Sequence, residues 1–261
     1  MYSYLVVKLG SGNLALPAFL RSAVPLDLPW ISLYWVFTAV TLAMFVTVLR
    51  SEFPPVRRTE QEQAGSWSTY RRLLRNPVVV LYFGSIFAYV GSEQGTANWM
   101  ALFLNTYHGY NPQTEGALAV SWFWGLMTAG CFIGMLLLKF FDSRRILIGG
   151  SAGAILALTV ALFGQASQSE VAFPAIGLFA SVMWPVIISL GLNSVTEQHG
   201  AFTGILCTAI IGGAIVPLLI GQIGDHFGLR AGMLVLYLSF GWVLSVGFWA
   251  KPIVSNVRTR R

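Results

Sequence analysis

The sequence predicts an all-α integral membrane protein, a helical bundle of about eight transmembrane helices. Three observations carry that prediction. Of 261 residues, 56% are hydrophobic and only 10% are charged, whereas a water-soluble domain carries roughly 25% charge. Uncharged apolar runs of about 18 to 23 residues recur at 30–49, 117–138, 146–163, 171–192, 201–223 and 231–250, each long enough to cross a bilayer as a helix. The basic residues are also sorted by membrane side. The strict alternation of a membrane barrel is missing, which leaves helices as the spanning structure.

The net charge of +6 with sixteen Lys and Arg residues invites a nucleic-acid reading, and the distribution of the charges argues against it. If the polar stretch after residue 50 is cytoplasmic and the spans alternate from there, Arg50, Arg57, Arg58, Arg71, Arg72, Arg75, Lys139, Arg144, Arg145, Lys251, Arg258, Arg260 and Arg261 all fall inside. Only Arg21 and Arg230 fall outside, and Lys8 lies in the first segment. That asymmetry is the positive-inside signal. It predicts a multi-pass protein of the inner (plasma) membrane with a cytoplasmic C-terminus, a lipid bilayer as its surroundings and no nucleic-acid partner.

Taken in order, residues 1–50 hold two helices. The first, at 4–20, is weakly apolar and carries Lys8, Gly10, Gly12, Asn13 and Pro17; the second, at 30–49, opens on Trp30, Tyr34 and Trp35, as an interfacial aromatic belt requires. Residues 51–76 are the one long polar stretch, with Pro54, Pro55 and several arginines. They read as a cytoplasmic linker with an amphipathic turn around 67–74 against the anionic leaflet. Pro77 then opens a segment at 77–104, since proline suits the first turn of a helix. Six spans make up residues 77–250, joined at roughly 105–116, 139–145, 164–170, 193–200 and 224–230, and a basic cytoplasmic tail follows at 251–261. Two helices, a charged linker and six helices suggest a two-bundle protein that lacks four helices at its N-terminus.

Chemistry concentrates at 89–99, Tyr89-Val-Gly-Ser-Glu-Gln-Gly-Thr-Ala-Asn-Trp99. Glu93 is the only acid well inside a span, and a carboxylate there costs on the order of 2.5 to 3.5 kcal/mol, so it normally faces protein or a water-filled path. Ser85, Tyr89, Glu93 and Thr96 recur at helical spacing on one face, with Gln94 and Asn98 beside it. Split into triplets, the six spans begin with 77–104 and 171–192. Both are interrupted, the first by Gly91 and Gly95 and the second by Trp184-Pro185, and paired interruptions of this kind point to a transporter's substrate cavity. Hydroxyl, carboxylate, amide and indole groups suit a polyhydroxylated ligand such as a sugar. The candidate substrate-binding residues are therefore Tyr89, Glu93, Gln94, Asn98 and Trp184; Trp99, Trp122 and Trp124 serve equally as stacking platforms or belt residues. Glu93 has three readings: a ligand for sugar hydroxyls, the carrier of a coupling proton, or a structural carboxyl paired inside the bundle. Gly212-Gly213 with Pro217 marks a helix able to bend, while Gly130/Gly134 and Gly149/Gly153 read as close-packing pairs.

Enzyme signatures are missing. His108, His199 and His226 fall in predicted loops without metal-ligand spacing, no phosphate-cradling Gly-rich Lys motif or nucleophile elbow occurs, and no cofactor or metal is implied. Cys131 and Cys207 lie in apolar spans and are expected as small buried residues.

Several motifs together resemble the C-terminal half of fucose permease-like sugar transporters of the major facilitator superfamily: the 89–99 stretch, Trp122-Phe-Trp-Gly125 with Gly130 and Gly134, Met183-Trp-Pro185 leading to Ser189-Leu-Gly191, and Ile211-Gly-Gly-Ala-Ile-Val-Pro217 continuing to Gly221-Gln-Ile-Gly-Asp225. The likeness covers about residues 77–250, and Asp142 with Arg144-Arg145 is similar to a degenerate form of the superfamily's cytoplasmic signature. It implies two six-helix domains, of which this chain holds the last two helices of the first and all of the second. It also implies a sugar substrate and a coupling proton or sodium ion moved by alternating access. In the fucose symporter branch the coupling carboxylates lie in early N-terminal helices, beyond this chain, which weighs against Glu93 as the proton carrier. A non-transporting remnant or assembly partner is the alternative reading.

Overall fold

A computed structural model describes residues 32–51 and 67–253. The weakly apolar first segment, the 52–66 part of the linker and the basic tail beyond 253 lie outside the described residues. The described residues belong to two compact units. In the first, α1 (Ser32–Arg50) is a 19-residue apolar helix, about 28 Å long at 1.5 Å per residue and so close to a hydrocarbon thickness. The second unit holds every other described element and is entirely helical.

The second unit begins with the short helix α2 (Trp67–Leu74), followed at an angle of 85° by α3 (Pro77–His108). The corner is specified locally. Asn76 Oδ1 accepts the Val78 N–H at 3.0 Å, and Pro77 occupies the first helical position, where no N–H is needed. α3 then runs for 32 residues and stops at Gly109, whose φ of 73° is the left-handed conformation glycine adopts without strain.

The remaining spans follow in antiparallel order. A π-helical turn (Pro112–Gly116) leads into α4 (Ala117–Leu137); α5 covers Ser143–Phe163, α6 Ala166–Ala180, α7 Met183–Leu192, α8 His199–Thr208, α9 Gly212–Phe227, α10 Leu229–Met233 and α11 Val235–Trp249. Among the described residues five stretches qualify by length and apolarity as membrane spans, Pro112–Leu137, Ser143–Phe163, Ala166–Leu192, His199–Phe227 and Leu229–Trp249, and the bent pair α2–α3 passes the same test together, with α3 as the crossing part. Leu156, Val171, Leu238 and Phe248 are strongly exposed on these helices, as a hydrocarbon-facing surface requires.

The observed ends refine the sequence reading. α5 starts at Ser143 rather than after the arginines, because Asp142 caps it by accepting the Arg144 N–H at 2.8 Å. The 171–192 span is broken at Ser181 and Val182, one turn before Trp184-Pro185. Pro185 cannot donate to the Ser181 carbonyl four residues back, so the helix restarts with Pro185 in the first turn of α7. The freed Ser181 carbonyl instead accepts the Cys131 thiol, S to O at 3.6 Å. A 3-10 turn (Ala209–Ile211) joins α8 to α9 just ahead of Gly212-Gly213.

α3 is the central helix. It packs against α9, α11 and α7, and its Tyr82, Ile86, Met100, Phe103 and Leu104 have no exposed surface. Lipid tails are as apolar as leucine, so association depends on shape, and small residues set the distances. A methyl at Gly91 would run into Val216 of α9, one at Gly212 into the Phe87 carbonyl of α3, and one at Gly134 into Val182. Gly130 meets Ser181 and Gly153 meets the Phe179 ring, whereas Gly149 faces open space.

The two ends of this unit differ in charge. Among the described residues Arg71, Arg72, Arg75, Lys139, Arg144, Arg145 and Lys251 lie at the end where α2 sits, and Arg230 lies at the other. At the basic end Arg144 pairs with Asp142 at 3.4 Å and donates to the Ala250 carbonyl, Ile253 N–H donates to the Asn193 carbonyl at 2.8 Å, and Tyr82 meets Ser194 at 3.0 Å. At the opposite end Arg230 lies over the Tyr107 ring at 4.5 Å, and its N–H donates to the Tyr107 hydroxyl.

Two expectations are corrected. Cys131 and Cys207 are both exposed rather than buried, because in a membrane span an apolar neighbourhood in sequence is compatible with any facing. The histidines lie on helices rather than loops: His108 ends α3, His199 begins α8, and His226 sits near the end of α9 with Nδ1 at 2.8 Å from the Gln222 carbonyl.

Candidate functional site

The 89–99 stretch occupies the middle of α3, where that helix passes between α7 on one side and α9 on the other. The predicted site residues separate accordingly into two groups. On the α7 side, the Tyr89 ring, only 4% exposed, stands against Trp184 with centroids 6.0 Å apart and planes tilted by 51°. The restart of the helix at Met183 places Trp184 there, so the break and the aromatic contact have one origin. Glu93 lies one turn along α3 from Tyr89, half-buried, with its carboxylate in reach of the Tyr89 hydroxyl. Its Oε1 accepts the Gln94 side-chain amide at 3.3 Å. Among the described residues Glu93 has no Lys or Arg partner, the recorded side-chain ion pair being Arg144 with Asp142.

On the α9 side, Asn98 is exposed and lines a concavity of about 390 Å³ together with Trp99, Leu102, Ala214, Pro217 and Leu218. Trp99 Nε1 donates to the Pro217 carbonyl at 2.9 Å, across the α3–α9 contact. Sequence spacing gave no hint of that bond; two residues on different helices, 118 positions apart, are joined only by the packing. Gln94 stands between the groups. While its amide bonds Glu93, its aliphatic stem lies beside Gly213, where an added methyl would approach Gln94 Cγ to 3.0 Å. Gly91 and Gly95 serve the same contact, against Val216 and Ile220.

Two residues of the proposed polar face turn inward. Ser85 is fully buried, donating to the Leu81 carbonyl at 2.7 Å and accepting Trp242 Nε1 of α11 at 3.3 Å. Thr96 is also fully buried, and its hydroxyl has no hydrogen-bond partner. Trp122, 58% exposed, lies near the opposite end beside Glu170 and Pro174, away from Tyr89 and Glu93. Pro185 is exposed on the first turn of α7.

Outside the spans, one group titrates away from its ordinary value. The Tyr110 phenol donates to Glu170 Oε2 at 2.9 Å, and this bond raises its pKa. The Glu115 carboxylate accepts the Thr114 hydroxyl at 2.6 Å and the Asn111 N–H at 3.0 Å.

The sequence model of the Major Facilitator Superfamily matches residues 9–210. Among characterised relatives, the chain is 33% identical over 227 residues to a glucose/galactose transporter of Brucella abortus, covering 84% of this chain and 52% of that protein. It is 25% identical over 204 residues to the L-fucose-proton symporter of Escherichia coli, covering 75% of this chain and 45% of that protein. The chain thus spans about half the length of these relatives. In three dimensions it matches the crystal structure of the transporter FucP in the outward conformation with a TM-score of 0.73 and 17% identity, over 95% of this chain and 63% of that one. A broken-helix bundle of the same architecture and a family match over most of the sequence lead to one assignment: this chain belongs to the Major Facilitator Superfamily.

Proposed function

We propose that this bundle forms one wall of the path by which a secondary transporter moves a sugar across the plasma membrane, coupled to a proton or sodium ion and by alternating access. The observation that carries the reading is the convergence of Tyr89, Glu93 and Trp184 at the helix break, in a span with no other interior acid. Trp184 offers a ring face to sugar C–H groups, braced by Tyr89, and the Glu93 carboxylate accepts sugar hydroxyls. Gln94 and Asn98 add amide donors and acceptors on the neighbouring face. Relatives that transport glucose, galactose or fucose support the substrate class. A second bundle facing this one completes the path, and Gly212, Gly213 and Pro217 let α9 bend as access alternates. The basic end of the bundle, with Lys251, is cytoplasmic.

The test is uptake of a labelled sugar panel into vesicles carrying the full-length protein, with proton and sodium gradients imposed separately. Glu93→Gln removes one charge-assisted hydrogen bond, worth about 1.5 to 3 kcal/mol, and is expected to weaken apparent sugar affinity roughly 10- to 100-fold while leaving the pH profile in place. Unchanged affinity with a shifted pH profile would assign Glu93 to proton coupling instead. No uptake under any gradient would overturn the transport reading.

A further inference from the structure

We propose that α2 is a binding seat for anionic phospholipid, independent of the substrate path. Its direction is the first reason. α3 crosses the membrane, and α2 meets it at 85°, so α2 lies close to the membrane plane even when a span's usual tilt of about 20° is allowed. It also sits at the end of the bundle where the basic residues gather, level with the start of the membrane-crossing helix.

The faces of α2 complete the picture. Tyr70 and Leu73, three residues apart, turn toward the bundle; Leu73 is 7% exposed and Tyr70 packs beside Gly204 of α8. Trp67 and Leu74, seven residues apart and therefore on one face, are 82% and 50% exposed. An exposed indole and leucine at the bilayer edge are the amphipathic pair that an interfacial helix buries among headgroups and upper acyl chains. Arg71 and Arg72 are exposed on the remaining faces, and Arg75 follows at the corner. Beside them, Arg72 and Arg75 line a concavity of about 350 Å³ with Asn76, Thr196, Glu197 and Gln198. Three guanidinium groups next to an apolar foot match a lipid whose phosphodiester is anionic and whose tails are apolar, and Arg suits phosphate through paired N–H groups. Glu197 is the one acid in that concavity.

The experiment compares hydrogen exchange of α2 in the full chain reconstituted in phosphatidylcholine bilayers with and without phosphatidylglycerol. Phosphatidylglycerol is expected to slow exchange of the α2 amides several-fold, with α3 and α9 unchanged as an internal reference. One basic residue near an anionic surface contributes roughly a fivefold change in affinity, so R71Q alone should reduce the effect, and R71Q/R72Q/R75Q should abolish it. Exchange that ignores lipid charge, or a lipid effect that survives the triple substitution, would overturn the proposal. Equal slowing by soluble glycerol phosphate would also overturn it, by showing an anion site rather than a lipid seat. R71Q changes a single exposed side chain, which keeps the test available if the triple variant does not fold.

Discussion

Replacing Gly91 with alanine tests whether the α3–α9 contact holds the site together. The added methyl would strike Val216 Cγ2, lie 2.8 Å from Val216 Cβ and 3.1 Å from the Gly212 carbonyl. Carbon contacts relax at about 3.5 to 4.0 Å, so the Val216 Cβ contact alone requires the helices to part by roughly 0.7 to 1.2 Å. Gly212 cannot absorb the shift, because it is itself pressed against the Phe87 carbonyl. Overpacking of this kind costs about 1 to 3 kcal/mol. Parting also stretches the 2.9 Å bond from Trp99 to the Pro217 carbonyl, adding about 0.6 kcal/mol, the average for such bonds inside membranes. The expected loss is therefore about 1.5 to 3.5 kcal/mol in reversible unfolding from mixed micelles. Val216→Ala removes Cγ2, the atom struck, and leaves Cβ at 2.8 Å, so G91A should cost less in the V216A background than in the parent, a coupling of about 0.5 to 2 kcal/mol in the compensating direction. Strictly additive effects, or a G91A protein as stable as the parent, would refute the packing described for α3 and α9.

Two further outcomes are expected. Trp99→Phe keeps an aromatic ring but loses the indole N–H to the Pro217 carbonyl and part of the indole's packing beside Gly221, so stability in the same unfolding assay should fall by at least the roughly 0.6 kcal/mol of the bond, and an unchanged stability would refute the contact. Gln198 adopts φ of 61°, a left-handed conformation costing a non-glycine residue about 1 to 2 kcal/mol; Gln198→Gly should raise the thermal midpoint, and a lower midpoint would mean that its side chain anchors the loop.

How much of this was readable from the sequence depends on which physical contrast each feature rests on. Spans are legible because water and hydrocarbon differ sharply in their tolerance of charge, and a run such as 171–192 has no reading in water that would suit it. The corner at Asn76-Pro77 and the cap at Asp142 are legible for a different reason: side chain and backbone partner lie within two residues of each other. Helix facing is a harder case. Within the bilayer a residue that looks to lipid and one that looks to a neighbouring helix meet equally apolar surroundings, so Cys131 and Cys207 read as buried and are exposed, and Ser85 and Thr96 read as sharing one polar face with Tyr89 and Glu93 and are enclosed. The break at Ser181 and Val182 lies between these cases. Pro185 announces that a hydrogen bond is lost four residues earlier, yet only the fold supplies Cys131 as the donor that meets the freed carbonyl. The candidate site has the same divided character. Tyr89, Glu93 and Trp184 were visible as costly or unusual residues within spans, whereas their meeting required the helix to break one turn before Trp184, and the partner of Trp99 was set by glycines that let α3 and α9 touch.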